Sequence, residues 1–367
     1  MSGSSPALAD GQQPAARLRA LLEEAEAAGR CELVPACHDA MSAALIQRAG
    51  FRIAFMSGYA VSASQLALPD AGLISYGEQL QVGRNICAAC PELCVIGDGD
   101  TGFGSSGNIK RTIEGFAAAG FAGISIEDQV YPKRCSFAKG LAVVSRDEAY
   151  GRVLCAIDAR DKNKARTGRD LVIIARTDCR NATGANGGFE EAIARCLAFR
   201  MMGADIVYAE GLANYAEMTS FNERLRDEVV GIEGLASRTI YTHTMLAQVE
   251  RPGYTMVSPE KAAEAGFTLS LLGLEVLNAS ISAMKETLAR LANPMPSISQ
   301  GAKKPRHAKV PRLSFEELYK ECGFDDHYTW EELHHGEGHR WAASMDDVKG
   351  LRDSMKNSST SSAPPQD

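Results

Sequence analysis

Residues 93–128 read LCVIGDGDTGFGSSGNIKRTIEGFAAAGFAGISIED. An apolar run, Leu93–Asp98, ends in the carboxylates Asp98 and Asp100. A glycine-rich turn follows, and Ile109–Ala119 then repeats apolar residues at helical spacing. A second apolar run, Ala122–Glu127, ends in Glu127 and Asp128. Neither apolar run alternates polar with apolar residues, as expected for parallel strands buried on both faces. Parallel neighbours need a crossover of a dozen or more residues, and the intervening helix supplies it.

The same unit recurs in both directions. Further candidate strands are Cys31–Pro35, Arg52–Met56, Asp170–Arg176, Asp205–Ala209, Arg238–Tyr241 and Phe267–Leu272. Between them lie helical patterns such as Arg146–Arg160, Phe189–Met202, Tyr215–Arg226 and Pro259–Ala265. Eight such alternations fit an α/β chain folded as a (β/α)8 TIM barrel better than a doubly wound sheet. An extra C-terminal helix, Glu275–Leu291, follows the eighth strand. The expected organisation is a flexible N-terminus over 1–16, a catalytic barrel over 17–292, a linker and helical extension over 293–350, and a disordered tail over 351–367. Asn293–Arg312 is the linker proper, Phe315–Cys322 reads as a short helix, and the end of the chain is Ser/Pro-rich.

Composition narrows the partners. The 367 residues are 45% hydrophobic and 23% charged, ample for a large core. The net charge of -7, without a basic stripe, argues against nucleic acid. No apolar run reaches the ~18–20 residues that span a bilayer, so no membrane partner is expected. The start of the chain lacks a secretory signal pattern. The 10 cysteines, several of them within apolar runs, read as reduced thiols. An intracellular, cytoplasmic location is expected, with an organelle left open.

Barrel enzymes place their chemistry at the C-terminal ends of the strands. Those ends carry Cys37-His38-Asp39, Ser57-Gly58-Tyr59, Asp98 and Asp100, Glu127-Asp128, Arg176 with Asp178, Glu210, and Thr242-His243. Asp98, Asp100 and Glu127 supply hard oxygens suited to Mg2+, with Mn2+ as the alternative ion. The plainer reading is helix-capping acids. Mutual repulsion of neighbouring carboxylates without a local lysine favours a bound cation. Gly102-x-Gly104-x-x-Gly107, with Glu127 twenty residues on, also matches a dinucleotide-binding fingerprint, but two carboxylates would then face a pyrophosphate. In the loop after the fourth strand, Lys133 and Arg134 flank Cys135, and cationic neighbours lower a thiol's pKa. Arg176 offers a forked donor for a substrate carboxylate; its plainer role is an ion pair with Asp178 or Glu210. Cys87-x-x-Cys90-x-x-x-Cys94 reads as structural, and His334–His339 as a solvated loop. His38 and His243 stand at strand ends as weaker candidates.

These segments resemble the isocitrate lyase/phosphoenolpyruvate mutase superfamily from about Leu33 to Leu291. The resemblance is carried by His38–Ala43, Phe55–Ser62, Leu68-Pro69-Asp70, Asp98–Gly102, Ile126–Gln129, Pro132–Cys135 and Ala175–Asp178. Within that superfamily the Ser57–Ser62 stretch is most like the petal death protein branch, which cleaves 2-alkylmalates and oxaloacetate; methylisocitrate lyases come next. The resemblance implies a Mg2+-dependent lyase of C–C bonds in a malate-like 2-hydroxy or 2-oxo dicarboxylate. It implies Asp98, Asp100 and Glu127 around the metal, with Asp70 in the surrounding shell. Ser57, Gly58, Tyr59, Asp70, Ser136, Arg176 and Glu210 would hold substrate. Lys133, Arg134 and Cys135 would be the catalytic segment of a mobile loop, Cys135 matching the lyases' cysteine, which C–P mutases lack. Homodimers or tetramers that exchange the helix after strand eight are also implied.

This sequence departs from the lyase pattern at Ser136-Phe137, where Gly-His is usual. Asn278 stands where methylisocitrate lyases carry Arg. Both changes imply a substrate with fewer carboxylates than a tricarboxylate. Three alternatives differ in kind: a phosphonate C–P mutase or hydrolase, a dicarboxylate-binding protein without turnover, and a dinucleotide enzyme.

Overall fold

The computed structural model describes residues 13–138, 140–184, 186–230, 242–292 and 313–335. Eight parallel strands close into a barrel in sequential order. They are β1 (Glu32–Cys37), β2 (Ile53–Met56), β3 (Cys94–Asp98), β4 (Gly123–Glu127), β5 (Val172–Thr177), β6 (Ile206–Ala209), β7 (His243–Gln248) and β8 (Leu269–Leu272). The β1–β8 pairing, Glu32 opposite Leu269 through Pro35 opposite Leu272, completes the circle. This closed order excludes the dinucleotide-binding sheet; Gly102 and Gly104 instead take left-handed φ of 87° and 141° in the turn after β3.

The helices α1 (Pro14–Ala27), α2 (Ala40–Arg48), α3 (Gly58–Leu66), α4 (Tyr76–Ala89), α5 (Ser106–Ala119), α6 (Arg146–Thr167), α7 (Phe189–Met202), α8 (Tyr215–Val230), α9 (Pro259–Glu264) and α10 (Glu275–Ala292) accompany the strands. Helix α1 begins at Pro14, earlier than expected, because Ala15, Leu18 and Leu22 are buried. They join a central cluster with Val34, Phe55, Ile96, Val172, Ile174, Tyr208 and Leu271, which fills the barrel. Two further apolar clusters lie between strands and helices. Strand residues therefore contribute alternately to the two sides: Ile96 joins the inner cluster and Val95 the outer. Both sides are apolar, which is why the strands read as continuous hydrophobic runs.

Two compact units divide the chain, Met1–Lys285 and Glu286–Asp367. The second contains α11 (Phe315–Glu321) and α12 (Phe324–His335), where Tyr319 stacks on Phe324 with centroids 4.4 Å apart. His334 and His335 end α12 rather than lying in a loop, and 336–339 fall outside the described residues.

The expected seventh strand needs correction. Arg238–Tyr241 falls outside the described residues, and the strand the barrel uses is His243–Gln248. His243 therefore opens β7, opposite Ile206, instead of following it. It lies at the N-terminal end of the barrel near Thr268 and Glu26, and leaves the candidate site.

Candidate active site

The C-terminal ends of the strands surround a cavity of about 100 Å³. Its lining mixes polar residues, Ser57, Asp70, Asp98, Cys135, Ser136, Arg176, Glu210 and Gln248, with apolar ones, Phe55, Phe137, Ala247, Val249, Leu271 and Leu274; Tyr59 and Tyr208 also reach it. Larger clefts beside α1 lie at the opposite end, lined by residues such as Arg19, Glu23, Asp205 and His243, away from these strand ends.

Local geometry fixes the acidic rim. Ser57 ends the β2 connection and caps α3, accepting from the Ala60 N–H at 3.3 Å. The Gly58 N–H donates to Asp98 Oδ2 at 3.3 Å. A Cβ at Gly58 would stand 2.9 Å from that same oxygen, so any larger residue would displace the carboxylate. Asp98 Oδ1 accepts from the Asp100 N–H at 3.2 Å, and Gln79 Nε2 donates to the Asp98 carbonyl at 2.8 Å. Asp100 has a left-handed φ of 47°, a conformation strained for most residues and tolerated by Asp.

The single ammonium of Lys133 lies 2.5 Å from Asp70 Oδ1 and 2.7 Å from Asp100 Oδ1. The carboxylates thus do have a local lysine, supplied by the loop after β4, and the repulsion expected from sequence is partly relieved. Burial alone would favour neutral Lys133, but Asp100, Asp70, Glu127 and Asp98 hold it protonated, well above its ordinary pKa. Burial still pushes Asp100 up to about 7 against the pull of Lys133, with Asp98 and Asp70 adding to the rise. Burial likewise pushes Glu127 well above the usual carboxylate range despite Arg176. Glu127 Oε1 is buried with no hydrogen-bond partner.

This donor set fits a divalent cation: hard oxygens, more buried carboxylates than cations, and an orphaned carboxylate oxygen. Among the described residues, however, no three His, Cys, Asp or Glu side chains converge closely enough to hold an ion between them. The fit is therefore to an ion bound by one or two carboxylates, with water completing the shell.

Arg176, at the end of β5, is buried and forked onto Asp178, with Nε and Nη2 each donating at 2.9 Å. Its Nη2 also donates to Ser136 Oγ at 2.5 Å and stands 3.3 Å from Glu210 Oε2; its Nε is 3.4 Å from Glu127 Oε2. The ion-pair role and the substrate-facing role coexist. Arg176 is the one cationic side chain among the described residues that line the cavity. Glu210 also accepts a hydrogen bond from the Tyr208 hydroxyl.

Cys135 lines the cavity, half-buried. Its thiol is not activated in the expected direction. Burial pushes its pKa up; the Phe137 N–H opposes this, Asp70 and Glu210 add to the rise, and Lys133 counts for less than either. A thiol kept protonated is suited to donate a proton. Arg134 departs further from expectation. It is exposed, its N–H donates to Gln129 Oε1 at 2.9 Å, and its guanidinium lies near Gly140 rather than in the cavity. Lys139 falls outside the described residues.

Asp128 stood among the strand-end carboxylates read from the sequence, but its bracing role was not legible there, nor were Arg195 and Tyr208. Asp128 accepts from Thr177 Oγ1 at 2.5 Å, the Asp178 N–H at 2.9 Å and Arg195 Nη1 at 2.9 Å, bracing the strand end that carries Arg176. Arg195 is fully buried on α7, and its Glu191 partner one turn earlier was the available signal. Phe137 stood out in the sequence only as a departure from the lyase pattern, and Tyr208 gave no signal of its own. His38 does not line the cavity, and the thiols Cys87, Cys90 and Cys94 are free.

The phosphoenolpyruvate phosphomutase family model matches residues 18–292. The chain is 35% identical over 259 residues to the chloroplastic carboxyvinyl-carboxyphosphonate phosphorylmutase of Arabidopsis thaliana, covering 71% of this chain and 70% of that one. Among solved structures, oxaloacetate acetylhydrolase with 3,3-difluorooxalacetate is similar at TM-score 0.72 and 28% identity, covering 89% of this chain and 98% of that one. So is 2,3-dimethylmalate lyase, at TM-score 0.72 and 26% identity, covering 91% and 99%. With its closed barrel, its acidic strand ends and Cys135 on the cavity wall, the chain belongs to the phosphoenolpyruvate mutase/isocitrate lyase superfamily, as a C–C bond lyase of malate- or isocitrate-like dicarboxylates.

Proposed function

We propose that the substrate is a 2-alkylmalate or a similarly small 2-hydroxy or 2-oxo diacid, cleaved with Mg2+ bound at Asp98 and Asp100 and with Cys135 as proton donor. The observation that carries this reading is the mixed lining of the cavity. Ser57, Ser136 and Arg176 offer donors to an oxyacid, while Phe55, Phe137, Val249, Leu271 and Leu274 suit an alkyl substituent. A single lining cation among the described residues, already shared with Asp178 and Glu210, suits a diacid better than a tricarboxylate. The named activities of the two solved relatives, on dimethylmalate and oxaloacetate, agree with a substrate of this size.

Asp98, held by the Gly58 and Asp100 N–H groups, and Asp100 would carry the ion, with Glu127 and Asp70 on its water shell. Bound there, Mg2+ supplies a Lewis acid for the α-oxygen and a template for the neighbouring carboxylate. Arg176 and Ser136, hydrogen-bonded to each other, orient the substrate. For a 2-hydroxy diacid, a carboxylate of the acidic rim takes the C2 hydroxyl proton, a C2=O double bond forms as C2–C3 breaks, and the electrons of that bond stay on C3 of the departing acid fragment. The Cys135 thiol donates its proton to that carbon, and the enclosing loop limits competing protonation by water. A dimer or tetramer completes the reading: α10 presents Ile281, Met284, Leu288 and Leu291 at helical spacing, all exposed.

The test is 2-oxoacid release from 2-methylmalate, 2,3-dimethylmalate, 2-methylisocitrate and isocitrate, with oxaloacetate assayed for oxalate and phosphonopyruvate for phosphate. Oxoacid from the malates that stops with EDTA and returns with Mg2+ is expected. Preference for the tricarboxylates would overturn the substrate assignment, and phosphate release alone would move the chain to C–P chemistry.

A further inference from the structure

Phe137 replaces the imidazole that the lyase pattern places after the cysteine, and the structure gives it specific partners. Its ring meets Tyr254 edge-on, with centroids 5.3 Å apart at 80°. The guanidinium carbon of Arg251 lies 4.5 Å from the Phe137 centroid and 5.0 Å from that of Tyr254. Both partners come from the segment after β7, which is itself anchored. The Tyr254 hydroxyl donates to Asn181 Oδ1 at 3.2 Å, and the Thr255 N–H donates to the Ala213 carbonyl at 2.9 Å. Asn181 belongs to the short turn after β5, and Ala213 follows β6. The clamp on Phe137 is thus fixed to two neighbouring strand ends.

Cys135 is held between three attachments of its loop: Lys133 to Asp70 and Asp100, Ser136 to Arg176, and Phe137 to Arg251 and Tyr254. The first two use charges that a bound diacid or cation would also engage, so ligand binding must renegotiate them. The third uses no group of the acidic rim. It is the attachment that keeps its strength while Arg176 and Asp100 exchange partners.

We propose that Arg251 and Tyr254 are positioning residues, whose grip on Phe137 holds the Cys135 loop closed over the cavity. They act through Phe137, without touching the reacting atoms. The proposal rests on the lyase reading only for its effect on turnover; the effect on thiol access is independent of it.

The test uses the full chain and peptide-resolved alkylation by iodoacetamide, comparing Cys135 with Cys155 and Cys322. Loss of one cation–π or aromatic contact corresponds to about a tenfold shift in loop opening. In Arg251→Ala and in Phe137→Ala, Cys135 is expected to react about tenfold faster, with Cys155 unchanged. Arg251→Lys and Phe137→Tyr, which keep a cation and a ring, should restore most of the protection. The same alanine variants should lower kcat more than they raise KM. Cys135 reactivity within twofold of wild type in both alanine variants overturns the proposal. So does faster reaction at Cys155 and Cys135 alike, which reports general loosening. If no diacid is turned over yet Cys135 alone is unmasked, the clamp stands and the lyase assignment falls.

Discussion

At the N-terminal end of the barrel, Asp170 and Asp205 face Arg19, Arg160 and Lys164. Arg19 reaches them at 2.8 and 3.0 Å, Arg160 reaches Asp205 at 2.8 Å, and Lys164 reaches Asp170 at 2.8 Å. Burial would raise Asp170, but Lys164, Arg19 and the Leu171 N–H hold it below the ordinary carboxylate value. At the C-terminal end the same residue type behaves oppositely: buried Asp100 is pushed up to about 7 with Lys133 beside it. One end has enough cations for its carboxylates, and the other has Lys133 and Arg176 among Asp70, Asp98, Asp100, Glu127, Asp178 and Glu210. The contrast separates charge that stabilises from charge that waits for a ligand. An excess of buried negative charge is costly in the free protein and favourable once a cation arrives.

The largest expected effect lies at the ligand-facing end. Cys135→Ser should lower kcat/KM by ~100-fold or more, the contribution of a positioned acid, with the melting temperature unchanged. An equal loss of stability and turnover would show that the thiol is structural. At the other end Asp205→Ala should do the reverse. Asp205 accepts from Arg19, Arg160 and the Ile173 N–H, and its loss should cost about 2–3 kcal/mol in urea denaturation while kcat stays within about twofold. A stability change under ~0.5 kcal/mol would put that network among surface pairs of little worth.

Glu210→Gln sharpens the comparison from the middle. The amide oxygen can still accept from Tyr208 while one buried negative charge beside Arg176 is removed. Turnover should fall by about 10–100-fold without loss of stability. A clear drop in melting temperature would mean that the carboxylate stabilises the free protein. The smallest effect concerns His243, which burial holds below its ordinary pKa of 6.5 against Glu26, Glu23 and Asp205. Below about pH 6.5 the unfolded chain binds a proton that the folded chain refuses, so stability rises with pH through that window and is lost on acidification. His243→Asn should reduce this slope by at most about 1.4 kcal/mol per pH unit. An unchanged slope would place the acid sensitivity elsewhere.

The barrel was legible because each strand is sheathed on both sides by apolar residues, as Val95 and Ile96 are. The exception was β7. Arg238–Tyr241 was read as the strand for its β propensity and lies outside the described residues; the described strand is His243–Gln248, which pairs Met245 with Leu269 and Thr244 with Val207. The acidic strand ends were legible for the same reason, since a carboxylate after a buried run has only the rim to occupy. The state of Cys135 was not. Its neighbours Lys133 and Arg134 suggest a lowered pKa, but Lys133 turns to Asp70 and Asp100 while the Arg134 guanidinium lies beside Gly140, outside the cavity lining.

The sequence alone therefore determined the order of strands and helices, the rim on which the polar groups gather and the kinds of groups present. These follow from hydrophobic patterning, which acts over a few residues at a time. Only the tertiary structure decided which charges are paired. Ser136 meets Arg176 across 40 residues, Arg195 meets Asp128 across 67, and Phe137 finds its clamp beyond β7. Electrostatic and ring contacts depend on distances of a few ångströms between segments far apart in the chain, and closure of the barrel sets those distances.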